Sequence, residues 1–144
     1  MAEPTYDLFI LHADADRAWV DRYLRYEVGV EPDRLITRHE FKLGAVITDE
    51  FERAVVQSRY TVGVLSPNYL KSNFTDLEGI LAEHIGLEES QQRFIGVMRE
   101  SCKPRLGIRA RFYLDMTDED EFEPALARLV AQIRQPPDAE RTEA

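Results

Sequence analysis

The sequence is poor in the features that mark several classes of protein. It has one cysteine, Cys102, in 144 residues, which excludes an intramolecular disulfide and a cysteine-rich metal site. No apolar run approaches the roughly 20 residues that a membrane-spanning helix needs. The first residues, MAEPTYD, lack the basic-then-apolar pattern of a signal peptide. Internal repeats and low-complexity segments are also missing. We therefore expect a soluble cytoplasmic protein with no membrane association.

The chain also lacks an excess of positive charge. Its formal net charge is −9, and a generic binder of nucleic acid would instead carry a basic face for the phosphate backbone. We therefore expect no nucleic-acid partner, although a small anionic ligand held by two or three local cations remains open. Hydrophobic residues make up 44% of the chain and charged residues 31%, as in an ordinary globular domain.

Short apolar runs alternate with segments of helical periodicity along the chain. The runs that predict strands are at residues 6–13, 33–37, 60–66, 93–98 and 110–116. Helical stripes begin near Asp14 or Asp16, which are candidate caps, and recur around residues 47–55, 72–89 and 118–133. This alternation predicts a parallel sheet with helices on both faces. Ligands of such sheets bind beyond the carboxyl ends of the strands, here after Leu11, Ile36 and Ser66.

One domain accounts for most of the chain, and we assign it to residues 1–134. Residues 135–144 have no apolar periodicity and contain a Pro-Pro pair. They are typical of a flexible tail or the start of a linker.

Several boxes of sequence, taken in order, resemble the Toll/interleukin-receptor (TIR) domain. The first is YDLFILHADAD, and the second is LGAVITDEFERAVVQSRYTVGVLSPNYLKSNFTDLE. The second follows the family run Gly-x-x-Ile, Ala-Ile-x-x-Ser, Val-Leu-Ser-x-Asn-Tyr and Ser-x-Trp-Cys-x-x-Glu. Phe74 and Thr75 stand where that run has Trp and Cys. The loop before Gly44 also lacks the Arg-Asp…Pro-Gly box of animal receptor adaptors, and the Asn-Tyr…Ser…Glu arrangement resembles the bacterial and plant branches, whose members include enzymes that cleave NAD+.

This resemblance covers residues 6 to about 134 and implies both a fold and an activity. The fold would be α/β, a flavodoxin-like three-layer sandwich with a central parallel sheet of about five strands and helices on both faces. The activity would be that of an NAD+ glycohydrolase or cyclase, with NAD+ as substrate and neither a cofactor nor a metal. Self-association, and a fused or separate sensor domain, would control it in bacterial immune, antiphage or cell-death signalling.

Glu78 has two interpretations. Thr75 and Glu78 fit the capping box Ser/Thr-x-x-Glu, which needs no chemistry. At about 100° per residue, however, Glu78 lies close in angle to Phe74 and Ile85, on the shoulder of the apolar stripe. A partly desolvated carboxylate at such a position is often functional. The resemblance places the catalytic glutamate of the family at Glu78.

The resemblance also implies which other residues bind the substrate. His12 and Ala13, at the end of the first strand, would line the nucleotide pocket, although His12 could instead cap backbone groups of the turn. The loop before the second helix would cover the pocket and contact the next subunit; it contains Arg38, Phe41, Leu43 and Gly44. Exposed apolar residues there, Phe41 and Leu43, suggest a lid or an interface.

Within the same loop, Arg38 and Lys42 could meet the pyrophosphate; the alternative is a solvated loop of mixed charge. Ser72 and Phe74 belong to the motif that presents Glu78. We expect Asn68 to cap the helix that follows Pro67.

A second hypothesis needs no catalysis. The domain would dock onto other TIR domains through the Phe41–Gly44 loop, and a pathogen protein that interferes with host signalling would be a special case. Cys102 lies beside Lys103 and Arg105, which could lower the pKa of its thiol, but a lone cysteine without a base is weak evidence for catalysis.

Overall fold

A computed structural model describes residues 5–25, 27–71, 94–103 and 114–135 of the chain. Its centre is a sheet of five parallel strands, β1 (Tyr6–Leu11), β2 (Leu35–Thr37), β3 (Ser58–Leu65), β4 (Phe94–Met98) and β5 (Leu114–Asp115). They lie in the order β2-β1-β3-β4-β5. The register places Phe9 beside Ile36 on one side and Thr61 on the other. The α/β sandwich with a five-stranded parallel sheet is therefore confirmed.

Helices lie in the connections from β1 to β2, from β2 to β3 and from β3 to β4, as is usual between parallel strands. The first connection is a continuous helical segment: a 3-10 turn (Asp14–Asp16), α1 (Arg17–Val20) and a π turn (Asp21–Arg25). The other α-helices among the described residues are α2 (Ile47–Gln57), α3 (Pro67–Lys71) and α4 (Glu119–Ile133). Short 3-10 turns also occur at Pro32–Arg34 and Arg38–Glu40.

Two hydrophobic clusters cover the two faces of the sheet, because successive side chains of a strand point to opposite sides. Leu8 and Ile10 of β1 pack with α1 and α4, whereas Phe9 and Leu11 pack with α2 and α3. The large apolar side chains of α4 lie in or against the first cluster, namely Phe122, Leu126, Leu129, Val130 and Ile133.

Two predicted helix caps are wrong, and both errors involve residues that are used elsewhere. Neither Asp14 nor Asp16 accepts a capping hydrogen bond from the first helical segment. At α3 it is Ser66, not Asn68, whose hydroxyl accepts the backbone N–H of Tyr69, at 3.1 Å. The predicted helix over residues 72–89 lies outside the described residues, and so does most of the predicted tail. No helix in the described part of the chain is long and apolar enough to cross a membrane.

Candidate functional site

The carboxyl ends of β1, β2 and β3 meet at one edge of the sheet. The segments that follow them begin at His12, Arg38 and Ser66. The strand order places β2 and β3 on opposite sides of β1, so the direction in which the chain adds strands to the sheet reverses at β1. Such a switch point opens a crevice between neighbouring loops, and α/β proteins bind ligands in it.

His12 and Ala13 follow β1 directly at this switch point. Both are buried, at 5% and 4% exposure. Nδ1 of His12 donates to the carbonyl oxygen of Ala13 at 2.7 Å, the backbone contact that was the alternative to a binding role. Burial lowers the pKa of His12, and the neighbouring His39 and Arg38 lower it further. The imidazole is therefore neutral near pH 7, and the ring of His39 lies 5.6 Å away between centroids.

Arg38 supplies a positive charge close enough to His12 to lower the pKa of the imidazole. Its Nη2 donates to Oδ1 of Asp14 at 2.5 Å, and its side chain is only 20% exposed. The same hydrogen bond is the main reason why the pKa of Asp14 is lowered. The ion pair restrains Arg38 beside the crevice, whereas the carboxylate of Asp14 is exposed to water. A pyrophosphate contact by Arg38 would have to share the guanidinium with Asp14.

The loop after β2 separates into an anchored part and an exposed tip. Phe41 packs against the second hydrophobic cluster, with its ring 6.0 Å from that of Phe9. The expected exposure of Phe41 is therefore wrong: an apolar ring beside the sheet lowers its free energy by packing there. Leu43, by contrast, is 96% exposed, and Val46 is 61% exposed. Gly44 has φ +81°, a left-handed conformation that glycine adopts without strain.

Glu50 of α2 anchors the loop just before its tip. It accepts the backbone N–H of Lys42 at 2.8 Å and two hydrogen bonds from Arg53, at 2.8 and 2.6 Å. The Arg53 contacts and then the Lys42 N–H lower the pKa of Glu50. Sequence reasoning missed this anchor, although Glu50 and Arg53 at an i,i+3 spacing on a predicted helix were a visible signal.

The beginning of the loop is fixed to the first helical segment. Nη2 of Arg25 donates to Glu40 at 2.5 Å, and the hydroxyl of Thr37 donates to the other carboxylate oxygen of Glu40 at 2.5 Å. The same hydroxyl accepts the backbone N–H of His39 at 3.2 Å. Glu50 holds the backbone N–H of Lys42, and the five residues from Lys42 to Val46 are the exposed part of the loop.

A buried carboxylate joins β1 to the ends of β3 and β4. Asp16 is fully buried and accepts hydrogen bonds from the hydroxyl of Ser66 and from Nη1 of Arg99, both at 2.5 Å. Asn68 adds a longer contact of 3.4 Å. We call Asp16, Ser66, Asn68 and Arg99 the Asp16 node. It fixes the entry to α3, which runs to Lys71, immediately before the segment that contains Glu78.

Glu78, Ser72 and Phe74 lie outside the described residues, so their assigned roles stay predictions. The suggested lowering of the Cys102 pKa is wrong: burial raises it, with help from the carboxylates of Glu100 and Asp16. Within residues 5–25, 27–71, 94–103 and 114–135, no group of three or more His, Cys, Asp or Glu is placed to hold a metal ion.

Comparisons with known proteins point to one family. A family model described as TIR domain matches residues 8–130. Toll of Drosophila melanogaster is 28% identical over 96 residues, 65% of this chain, and Toll-like receptor 2 of Capra hircus is 27% identical over 143 residues, 90% of this chain. The matched regions make up 9% and 18% of those two receptors.

Solved structures show the same fold. The TIR domain of the Toll-related receptor TRR-2 from Hydra magnipapillata superposes with a TM-score of 0.78 at 25% identity, covering 91% of this chain and all of that one. The TIR domains of the activated Roq1 resistosome, which recognises the pathogen effector XopQ, give 0.54 at 17% identity, covering 89% of this chain and 82% of that one. Because animal receptors are among these matches, they do not distinguish the bacterial and plant-like branch that the motifs resemble.

Proposed function

Because this chain belongs to the TIR domain family, we propose that it is a cytoplasmic signalling domain that cleaves NAD+ when its copies assemble. Glu78 is the essential carboxylate, and nicotinamide is the product common to hydrolysis and cyclisation. One observation carries the proposal. A buried neutral histidine and a restrained arginine, His12 and Arg38, lie at the switch point, after β1 and β2.

The chemistry requires little more than one well-placed carboxylate. The bond between nicotinamide and ribose already has a cationic pyridinium as its leaving group, so no general acid has to protonate it. The transition state resembles the oxocarbenium ion of glycoside hydrolysis. An anion close to C1′ and the ribose hydroxyls stabilises that positive charge, and removing such an interaction typically costs about 10²–10³ in rate.

The described residues would supply the rest of the pocket. His12 is neutral near pH 7, so it can sit against the substrate without adding a cation that would oppose the oxocarbenium ion. Arg38 would contact the pyrophosphate while Asp14 holds its guanidinium near the crevice. The Asp16 node fixes the start of α3, which precedes Glu78 in the sequence, since Ser66 caps that helix.

Assembly would occur through the exposed tip, residues 42–46. Leu43 and Val46 are the apolar side chains there, and burying an exposed leucine against a second copy gains about 1.5–3 kcal/mol. The TIR domains of Roq1 belong to an activated resistosome, which is a precedent for assembly in this family. A fused or separate sensor domain would bring copies together, in bacterial immune, antiphage or cell-death signalling.

The test is nicotinamide release by the purified chain at rising concentration, beside the variants Glu78→Ala, Leu43→Asp and Glu121→Ala. Glu121 is an exposed residue of α4 and serves as the matched control. We expect release by the wild type and the control, loss by about 10² or more in Glu78→Ala, and loss in Leu43→Asp that covalent tethering of copies reverses. Equal release by wild type and Glu78→Ala would contradict the role of Glu78.

A non-catalytic interaction module is the second candidate, favoured by the same exposed tip and by the match to Toll and Toll-like receptor 2. It includes the case of a pathogen effector that interferes with host TIR signalling. If the domain is such a module, Leu43→Asp would abolish association, measured by light scattering. Tethered wild-type copies would release no nicotinamide at all. That combination of results separates the module from the enzyme.

A further inference from the structure

A second cavity lies away from the β1–β3 crevice, between the first helical segment and the beginning of α4. Its volume is about 530 Å³, within the range of pockets that hold small organic ligands. Aromatic and acidic side chains dominate its lining, namely Trp19, Tyr23, Phe122, Glu100, Glu119 and Glu123.

The aromatic side chains form one connected wall. Tyr23 and Phe122 pack edge to face with centroids 5.4 Å apart, and Trp19 lies 5.8 Å from Tyr23 and 6.3 Å from Phe122. Ring faces carry negative quadrupole density and attract cations. Two of these rings already do so, because Arg99 lies 5.6 Å from the centroid of Trp19 and Arg22 lies 5.3 Å from that of Tyr23.

The charge of the lining is negative and largely unmatched. Arg99 is the basic residue of the lining, and its Nη1 is committed to Asp16 at 2.5 Å and to Glu100 at 2.8 Å. Glu119 and Glu123 are four residues apart on α4, so they lie on the same side of the helix. In the described part of the chain, neither of them forms an ion pair. Among those residues, two carboxylates therefore face the cavity without a cation.

We propose that this cavity binds a small organic cation, with an ammonium or guanidinium group on an apolar stem. The stem packs against Tyr23 and Phe122, and the charged group lies between Glu119 and Glu123. An anionic ligand would be repelled by those two carboxylates. Arg99, the one cation of the described lining, is already paired with Asp16 and Glu100. The volume of the cavity is large enough for a whole small molecule of this kind. This inference does not depend on NAD+ cleavage.

Trp19 is the single tryptophan of the chain and lines this cavity, so the tryptophan fluorescence of the protein comes from the cavity wall. The experiment titrates the full chain with 2-phenylethylamine, 2-phenylethanol and 3-phenylpropanoate, which share a ring and differ in charge. We expect a saturable change with the amine at an affinity at least about tenfold above that of the alcohol. Binding should weaken with added salt. Equal binding of amine and alcohol, preferred binding of the anion, or no saturable binding would each overturn the proposal.

Two variants with the same change in charge test the carboxylates. Glu119→Gln with Glu123→Gln should weaken amine binding about tenfold or more. Asp120→Asn with Glu121→Gln removes two exposed carboxylates of the same helix that do not line the cavity, and binding should change less than about twofold. Equal effects of the two pairs would overturn the proposal.

A measurement on the wild type keeps the test independent of how the variants fold. In amide NMR spectra, the amine should shift the indole N–H of Trp19 and the backbone amides of Glu119 and Glu123. Shifts concentrated around His12 instead would place the amine in the β1–β3 crevice and overturn the assignment.

Discussion

The Asp16 node makes a strong prediction about stability. Asp16 is fully buried, and Arg99, its partner at 2.5 Å, is 24% exposed. Arg99→Met keeps much of the side-chain volume but leaves the carboxylate buried with two neutral donors, Ser66 and Asn68. Removing one member of a buried ion pair costs about 3–5 kcal/mol. Because water reaches part of Arg99, we expect the lower end, about 3 kcal/mol.

Urea unfolding followed by circular dichroism measures this free energy directly, whereas Trp19 fluorescence would be affected by the loss of Arg99 from its ring. Arg17→Met is the matched control, because Arg17 pairs with Asp21 at 3.7 Å and both are well exposed. Exposed i,i+4 pairs contribute about 0.3–0.5 kcal/mol. A loss in Arg99→Met no larger than in Arg17→Met would refute the reasoning.

A double-mutant cycle identifies the cause of any loss. In Asp16→Asn with Arg99→Met the buried charge is gone, so the double variant should be more stable than the sum of the single losses predicts, by about 2 kcal/mol. Strict additivity would mean that Arg99 stabilises the fold through packing on Trp19 rather than through Asp16.

Three further predictions concern other parts of the chain. Glu50→Gln should raise amide hydrogen exchange at Lys42, because the N–H loses a charged acceptor; unchanged exchange would show that the loop does not depend on Glu50. Burial lowers the pKa of His12, so the unfolded chain binds the extra proton first, and stability should fall as pH drops below 6.5. His12→Gln should remove that fall in urea titrations between about pH 6.5 and 5, and an unchanged profile would assign it to other groups. Gly63→Ala would place a Cβ 2.7 Å from Cζ of Phe94, so we expect a loss of about 1–3 kcal/mol in thermal unfolding; a loss below about 0.5 kcal/mol would mean that the ring moves freely.

The sheet could be predicted from the sequence because its signal is local. Each strand is a short apolar run whose alternate residues meet different faces, as Leu8 and Phe9 do. Contacts between distant residues left no such signal. Asp16 was a plausible helix cap in isolation, whereas its actual partners, Ser66 and Arg99, are 50 and 83 residues away. The local sequence around Asp16 is the same whether the aspartate caps the helix or pairs with distant residues, so the sequence pattern does not separate the two roles.

The composition of a loop also did not predict which of its apolar side chains would be exposed. Phe41 and Leu43 are two residues apart in one polar loop, yet one packs on Phe9 and the other is 96% exposed. The backbone path of the loop separates them. Arg25 holds the loop at Glu40, and Glu50 holds it at Lys42. Those restraints involve charged residues that sequence reasoning treats as solvated.

Arg99 connects the two candidate sites. One face of its guanidinium lies over Trp19 in the second cavity, while its Nη1 hydrogen-bonds to Asp16, which also holds the entry to α3 through Ser66. A cation bound between Glu119 and Glu123 would share the same carboxylate field as Arg99, since Glu100 already pairs with it. Coupling between the two sites requires that the ligand change the Arg99–Asp16 contact, and the free energy of that contact sets its upper limit, about 3 kcal/mol.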